Sequence, residues 1–312
     1  MLADAKAHTK LHEFLLQWLK LDQAPEIAKE AKRFPGFDAA LVADLRTSLD
    51  LLLDDAVWNG DSDFRRLLLA DDLYMNGRLA KFYGVDLPAD AGFQKVKLNP
   101  EQRAGILTHP YLLSTFAYTS TSSPIHRGVF VARGILGVSL RPPPEAFTPL
   151  AESLHPNLTT RERVSLQTKP TSCQACHGIL NPLGFTLEHF DAVGRYQDWD
   201  NGWPVDTVGS YQTRNGETVT LNGARDLAKF LADSEEVQTA FAEHLFQHLA
   251  KQPIAAYGPR QLTDLRKAFA SQGCSIRKLL VEAVVLSALP DQKAKPSPRR
   301  LARSGRPVNS GG

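Results

Sequence analysis

The sequence predicts a mainly α-helical protein with one small β hairpin element. Three observations carry that prediction. Apolar residues recur at helical spacing, as at Leu11, Phe14, Leu15, Trp18 and Leu19, and again at Leu41, Val42, Leu45, Leu49, Leu52, Leu53 and Ala56. Capping and breaking residues bracket those runs. One window, residues 194–221, differs in character: Tyr196, Trp199, Trp203, Val205, Val208, Tyr211 and Val219 surround an Asn215-Gly216 turn signal.

In order, the run from Leu11 to Leu19 gives an amphipathic helix with one buried face. Pro25 suits the first turn of a short second helix. Asp38 caps the next helix, and Asn59-Gly60 ends it. Residues 62–70 and 73–83 read as two further helices, the second stopped by Gly84, and 85–98 as loop. Asn99-Pro100 is a cap followed by a first-turn proline, and Pro110 breaks or kinks whatever begins there. Ser120 to Pro124 turns into a helix running from Ile125 to Leu136. Arg141 to Pro156, with its triple proline Pro142 to Pro144, reads as an extended surface connection and a boundary. Thr159 or Thr160 caps a short helix. After the β window come helices over 223–232, 235–250 and 259–289, the last broken near Gly273. The resulting organisation is an N-terminal helical region (1–98), a motif-bearing region with the β element (99–221) and a C-terminal helical region (222–290). A basic tail (291–312), rich in Lys, Arg, Pro, Ser and Gly, reads as disordered.

Among 312 residues, 43% are apolar, enough for a sizeable core. The net charge is +2, but residues 291–312 hold six Lys/Arg and one acid, so the body is slightly acidic. That argues against a nucleic-acid partner. Arg133 interrupts the longest apolar candidate, Gly128 to Leu140, so no membrane span is expected.

The chemistry concentrates at Cys173-Gln-Ala-Cys176-His177. Cys-x-x-Cys-His is the attachment signature of a c-type haem. On a helix the thiols lie one turn apart, within reach of the two vinyl groups of one porphyrin, and His177 is placed to ligate the iron. Zinc would want a second ligand pair, and the one other cysteine is Cys274. A thioredoxin-like site would want a βαβ surround, whereas this region reads as loop and short helix. A chance or decayed motif is the remaining alternative.

The sixth iron ligand decides the chemistry: Met or His favours electron transfer, and an open position favours small-molecule or peroxide chemistry. Beyond Met1 the one methionine is Met75, which reads as core. His109, ahead of Pro110 where a helix is interrupted, is the candidate second axial ligand. His126 and His189 read as structural. His244 and His248 lie one helical turn apart, but Leu245 stands where the zinc-protease pattern needs Glu, so they read as a solvated face. Arg195 is a candidate partner for a haem propionate, with an Asp191–Arg195 ion pair as the plainer alternative. Cys274 reads as a small buried residue. Gly184 is expected where no side chain is tolerated, through positive φ or close backbone approach.

The stretch after the motif, Asn181-Pro182-Leu183-Gly184-Phe185 through Asp191 to Tyr196, resembles the segment following the haem motif in planctomycete cytochrome-c-type proteins. Ala70 to Gly84, Gly105 to His109, Ser123 to Gly128 and the triple proline look like that family's pattern upstream of the motif. Phe241 to Leu289 is similar to its C-terminal helical region. The resemblance covers residues 10–290 and is most specific in the middle. It implies a helical cytochrome-c-like domain preceded by a helical domain, and haem c as cofactor. It also implies an exported, periplasmic or secreted setting. Met1 to Lys10 carries no apolar signal-peptide core, so the chain is expected to be the C-terminal part of a longer protein. The functional expectation is one covalent haem, held by Cys173, Cys176 and His177, transferring electrons to a redox partner protein. The alternatives are a peroxidase or oxidase with an open sixth site, and a haem-free structural or interaction fragment.

Overall fold

In the computed structural model, the residues described are 2, 4–22, 24, 26–140 and 155–288. Helix accounts for 54% of the structure, against three two-stranded antiparallel sheets. The mainly α expectation holds, with more β structure than the single hairpin foreseen.

The first helix, α1 (Ala5–Trp18), buries Leu11, Phe14, Leu15 and Trp18. No helix follows it: residues 26–30 are irregular. The Lys29 ammonium there donates to the carbonyls of Ser114, Ala117 and Tyr118 at 2.9, 3.2 and 2.7 Å. Three long-range acceptors outweigh the local preference that would have coiled this segment. The long α2 (Ala39–Trp58) is capped by Asp38, whose carboxylate accepts from the Leu41 amide at 2.8 Å.

The expected helix over 62–70 shrinks to α3 (Arg66–Leu69), because the Asp63 carboxylate takes the Arg65 amide and guanidinium and holds a turn. The expected helix over 73–83 splits. Asp72–Met75 is β1, Asn76 caps α4 (Gly77–Tyr83), and β1 pairs with β2 (Gln94–Lys97) inside the expected loop. The alternating burial of β1, with Leu73 and Met75 inward, fits a strand, and its apolar residues were misread at helical period.

No α-helix starts at Asn99-Pro100. Asn99 caps a single turn, and a 3-10 turn spans Gly105–Thr108. Pro110 opens α5 (Pro110–Thr115) instead of kinking a longer helix. Ser123 caps α6 (Pro124–Val129), which runs on as a π-helical segment over Phe130–Ile135, matching the expected 125–136 helix in extent. A reciprocal box between Thr159 and Glu162 caps α7 (Thr160–Gln167). The motif lies within α8 (Thr171–Phe185), a fifteen-residue helix and not the loop and short helix expected.

The β window resolves into two hairpins: β3 (Trp199–Asp200) with β4 (Trp203–Pro204), and β5 (Val208–Gln212) with β6 (Thr218–Asn222), the latter turning through Gly216. The C-terminal helices are α9 (Gly223–Asp233), α10 (Glu235–Ala250), α11 (Gln261–Ser271) and α12 (Ile276–Ala288), with the break at Gly273 where foreseen. Most of the triple-proline connection and all of the basic tail lie outside the described residues.

One continuous apolar core joins residues from Leu11 to Ala283. Phe14 and Trp18 of α1 meet Phe241 of α10 edge-on at 5.4 and 5.0 Å, and Phe64 packs on Phe241 at 4.5 Å. The N- and C-terminal helical regions are therefore built around shared side chains. Residues 187–191, beyond α8, are pinned to α6 by Arg127. Its buried guanidinium donates to the carbonyls of Leu187, Phe190 and Asp191 and to the Glu188 carboxylate. Burial pushes the Glu188 carboxyl up, and Arg127 pulls it partly back.

Candidate functional site

The geometry of the motif follows from how α8 is held. Cys173, Cys176 and His177 stand at i, i+3 and i+4, so they share one helix face. Both thiols are free and half-buried. The same face continues into Leu180, Asn181 and Gly184, which are buried. Gly184 is helical and not left-handed, but a Cβ there would collide with the Pro124 carbonyl oxygen. A Cβ on Gly128 of α6 would likewise collide with the Leu180 carbonyl. The two helices cross glycine to carbonyl in both directions, close enough for Cα–H···O contact. Of the two reasons foreseen for Gly184, close approach is the operative one. Pro182 lies within α8 and removes the hydrogen bond to the carbonyl of Gly178, which is exposed and reachable by water.

His177 is oriented by a chain of hydrogen bonds. Its Nδ1 lies 2.9 Å from Asn181 Oδ1, Asn181 Nδ2 donates to Thr168 Oγ1 at 2.8 Å, and the Thr168 hydroxyl donates to the Val164 carbonyl at 2.7 Å. Each link fixes the next. Because the Thr168 proton goes to a carbonyl, its oxygen must accept from the Asn181 amide nitrogen. The amide oxygen then faces His177, which must donate from Nδ1. The neutral ring therefore presents a lone pair at Nε2, the form that ligates a metal. Sequence reading left Asn181 without a role and missed Thr168. The i, i+4 spacing of His177 and Asn181 was the available signal.

His177 lines a surface cavity of about 480 Å3 with Ser165, Gln174, Phe185, Val208 and Arg161 among the other walls. Arg161 was also missed, since nothing in the sequence ties it to the motif across an intervening turn. Its guanidinium lies 4.3 Å over the Phe185 ring and donates to the Val208 carbonyl at 2.7 Å, with Asp206 at 3.2 Å. Burial works against its charge and lowers its pKa, with Asp206 and Glu188 opposing. The surroundings are also unusually apolar for a surface. Among the described residues, the large apolar side chains that remain exposed are Leu166, Trp199, Trp203, Val208 and Val285. All but Val285 sit on α7, β3, β4 and β5. Of these elements, α7 and β5 line the cavity, and β3 is tied to α7 by the Thr160 amide on Asp200.

The structure does not bring His109 or Arg195 to this cavity. His109 is fully buried at the N-terminus of α5, where its Nδ1 accepts from the Tyr111 amide at 3.2 Å and its Nε2 faces Ser48 Oγ at 3.3 Å. Burial, with Arg103 nearby, pushes its imidazole down to about 3. Both ring nitrogens serve the fold. Arg195 stacks 4.0 Å over Phe82 of α4. The Asp191–Arg195 contact is a turn in which the carboxylate accepts the Val193 and Arg195 amides, each at 2.9 Å. Met75 is core, as expected. His189 stacks on Tyr196, and His126 tilts against Tyr118. His248 is buried and bonds Gln17 at 2.7 Å, so the pair with His244 is not a plain solvated face. Cys274 is buried, at positive φ. Among the described residues, no group of three His, Cys, Asp or Glu is arranged to hold a metal ion, and no helix is long and apolar enough to cross a membrane.

No curated protein and no solved structure matches the chain. Two family models do. PSD4, a protein of unknown function (DUF1592), matches residues 1–85, and PSCyt3, a protein of unknown function (DUF1588), matches residues 103–200. The second spans α5 through α8 and so includes the whole motif. Neither covers half of the chain. Both names are associated with planctomycete cytochrome-c-type proteins.

Proposed function

We propose that this chain carries one covalent c-type haem on α8 and exchanges electrons with a redox partner protein outside the cytoplasm, in the periplasm or after secretion. Cys173 and Cys176 would form the thioethers and His177 would give a nitrogen to the iron. The single observation that carries the reading is the Val164–Thr168–Asn181–His177 chain. It presents Nε2 as a free lone pair beside two free thiols, one turn apart on the same face. A hydrogen bond at the far nitrogen of a ligating His is the usual means of fixing its tautomer and orientation. The donor set favours haem over a structural zinc site, because a porphyrin would supply four nitrogens of its own, whereas structural zinc would need a fourth protein donor, and among the described residues no such group of His, Cys, Asp or Glu is arranged to hold a metal.

His177, though neither thiol, lines the cavity described above. Val208 and Phe185 would give it apolar wall. Arg161, held by Val208 and Asp206 and stacked on Phe185, takes the propionate-binding role first given to Arg195. When bound, the haem supplies one-electron chemistry. The protein's part would be to orient the imidazole through Asn181 and to offer the Arg161 guanidinium to a propionate.

The test is export of the chain alongside a haem-maturation apparatus, followed by denaturing electrophoresis. The wild type keeps a peroxidase-type stain, and the double variant Cys173→Ala/Cys176→Ala loses it. A folded, exported wild-type chain with no stain overturns the reading.

A further inference from the structure

Another cavity lies away from α8, walled by α1 and α10. It measures about 550 Å3, and Gln17, Trp18, Lys20, His244, His248 and Lys251 are among its lining residues. Two of these carry buried polar atoms with no partner inside the protein. Trp18 is 2% exposed, and its indole Nε1–H meets no acceptor. His248 is 8% exposed. Its Nδ1 lies 2.7 Å from Gln17 Oε1, and its Nε2 is unpartnered. Buried polar atoms are almost always satisfied, so two orphans on the walls of one cavity point to something bound there.

The two orphans ask for opposite things. The indole N–H is a donor and needs an acceptor. Gln17 takes the proton of His248 Nδ1, so the neutral ring offers a lone pair at Nε2 and needs a donor. The ring stays neutral because burial, with Lys251 and Lys10 nearby, lowers its pKa, Glu13 opposing. The pKa of His244, one helical turn away, is lowered by burial and by Lys20. A water molecule could serve both orphans, but the charges around them specify more. Lys20 and Lys251 line the cavity, and no carboxylate does. Both lysines hold left-handed backbone, at φ 59° and 54°, just past the ends of α1 and α10, where a helix often takes glycine. The two imidazoles have metal-ligand spacing, but these ammonium groups repel a cation.

We infer that this cavity binds a small oxyanion that carries a proton of its own, of the hydrogen phosphate or hydrogencarbonate class. One oxygen accepts from the Trp18 indole, the Lys20 and Lys251 ammonium groups meet the negative charge, and the O–H of the anion donates to His248 Nε2. Sulfate has the shape and charge of hydrogen phosphate but no proton near neutral pH. It would set an oxygen lone pair against the lone pair of His248, leaving that buried nitrogen unsatisfied. The site is separate from the Cys173–His177 motif and does not depend on what α8 carries.

The test uses the full chain at about pH 8 and fixed ionic strength, so that screening is the same for every anion. Calorimetry gives affinities for sodium phosphate, hydrogencarbonate and sulfate. Nitrogen NMR follows the Trp18 indole, assigned by its loss in Trp18→Phe. Phosphate or hydrogencarbonate is expected to shift that resonance and to bind about tenfold or more tighter than sulfate, the effect of one hydrogen bond to a charged group. Trp18→Phe, which keeps the ring packing, should weaken binding about tenfold. Lys20→Gly and Lys251→Gly each remove a charge while relieving left-handed backbone, so each should weaken binding several-fold with no fall in melting temperature. Sulfate binding as tightly as both protonated anions overturns the inference, because charge alone would then hold an adventitious ion only. An indole resonance that none of the anions moves overturns it too, leaving water as the occupant. So does zinc binding that is lost in His244→Ala, with no response to the anions.

Discussion

Two histidines in this protein show how the same side chain is assigned opposite work by one hydrogen bond. At the start of α5, His109 Nδ1 accepts the Tyr111 amide, so the proton sits on Nε2 and points at Ser48. On α8, His177 Nδ1 donates to Asn181, so the proton sits on Nδ1 and Nε2 is left open. The first ring is wholly enclosed and closes a helix end. The second is half-buried and faces a cavity. Position relative to a helix start is the deciding variable: a His at the cap meets an orphan amide, whereas a His inside a helix meets the side chain four residues on.

The largest expected effect is on pH dependence, and it isolates His109. Burial holds its folded pKa near 3, below the ordinary value of 6.5. A folded state that refuses a proton the unfolded chain accepts loses stability as pH falls from 6.5 toward 3, by on the order of 4 kcal/mol across the window. His12 acts with the opposite sign. Its hydrogen bonds to Asp50 and Asp54 raise it to about 9, so its contribution is present below pH 6.5 and lost as pH rises through 9. At this half-exposed site it is worth about 1 kcal/mol. Denaturant titrations across pH should show the steep acid limb and the shallow alkaline one. His109→Asn, which keeps a neutral capping acceptor, should flatten the acid limb, and an unchanged limb would refute the assignment.

Next in size is the frame that carries His177. Gly184→Ala forces a Cβ into the Pro124 carbonyl and is expected to cost about 3 kcal/mol or more. Gly178→Ala, on the same helix with open space beside it, should instead stabilise by about 0.5–1 kcal/mol. Thermal melts of the two variants check the contrast, and equal effects would mean that α6 and α8 do not cross as described.

The smallest change erases the contrast between the two rings. Asn181→Leu removes the acceptor for His177 and leaves Thr168 without its donor. The expected cost is about 1–3 kcal/mol. Histidine nitrogen NMR on the haem-free chain reads the tautomer directly: His177 should be Nδ1-protonated in the wild type and mixed in the variant, while His109 stays Nε2-protonated in both. A wild-type His177 protonated at Nε2 would break the argument.

The motif residues and the long amphipathic helices were legible because their signals are local: a five-residue spacing, an Asp38 cap, a stripe of leucines. What failed was decided at a distance. Residues 73–75 read as helix until β2 supplied a partner twenty residues on, and the segment after Pro25 read as helix until Lys29 found three carbonyls near residue 115. His109 drew attention as a ligand because a broken helix can expose a side chain. The structure shows the other use of a break, since the new helix needs a cap. Arg195 and Arg161 were indistinguishable in sequence, and only Phe82 and Phe185 tell them apart.

The crossing of α6 and α8 bears on the order of biosynthetic events. Close backbone approaches to α8 fall at Leu180, Pro182 and Gly184, where α6 and β5 press on it. The half bearing Cys173 and Cys176 extends past that clamp like a cantilever, with its thiols partly in solvent. On the haem reading proposed above, covalent loading would reach two half-buried thiols beyond the α6–α8 crossing, and a maturation enzyme would work on a chain that has already folded.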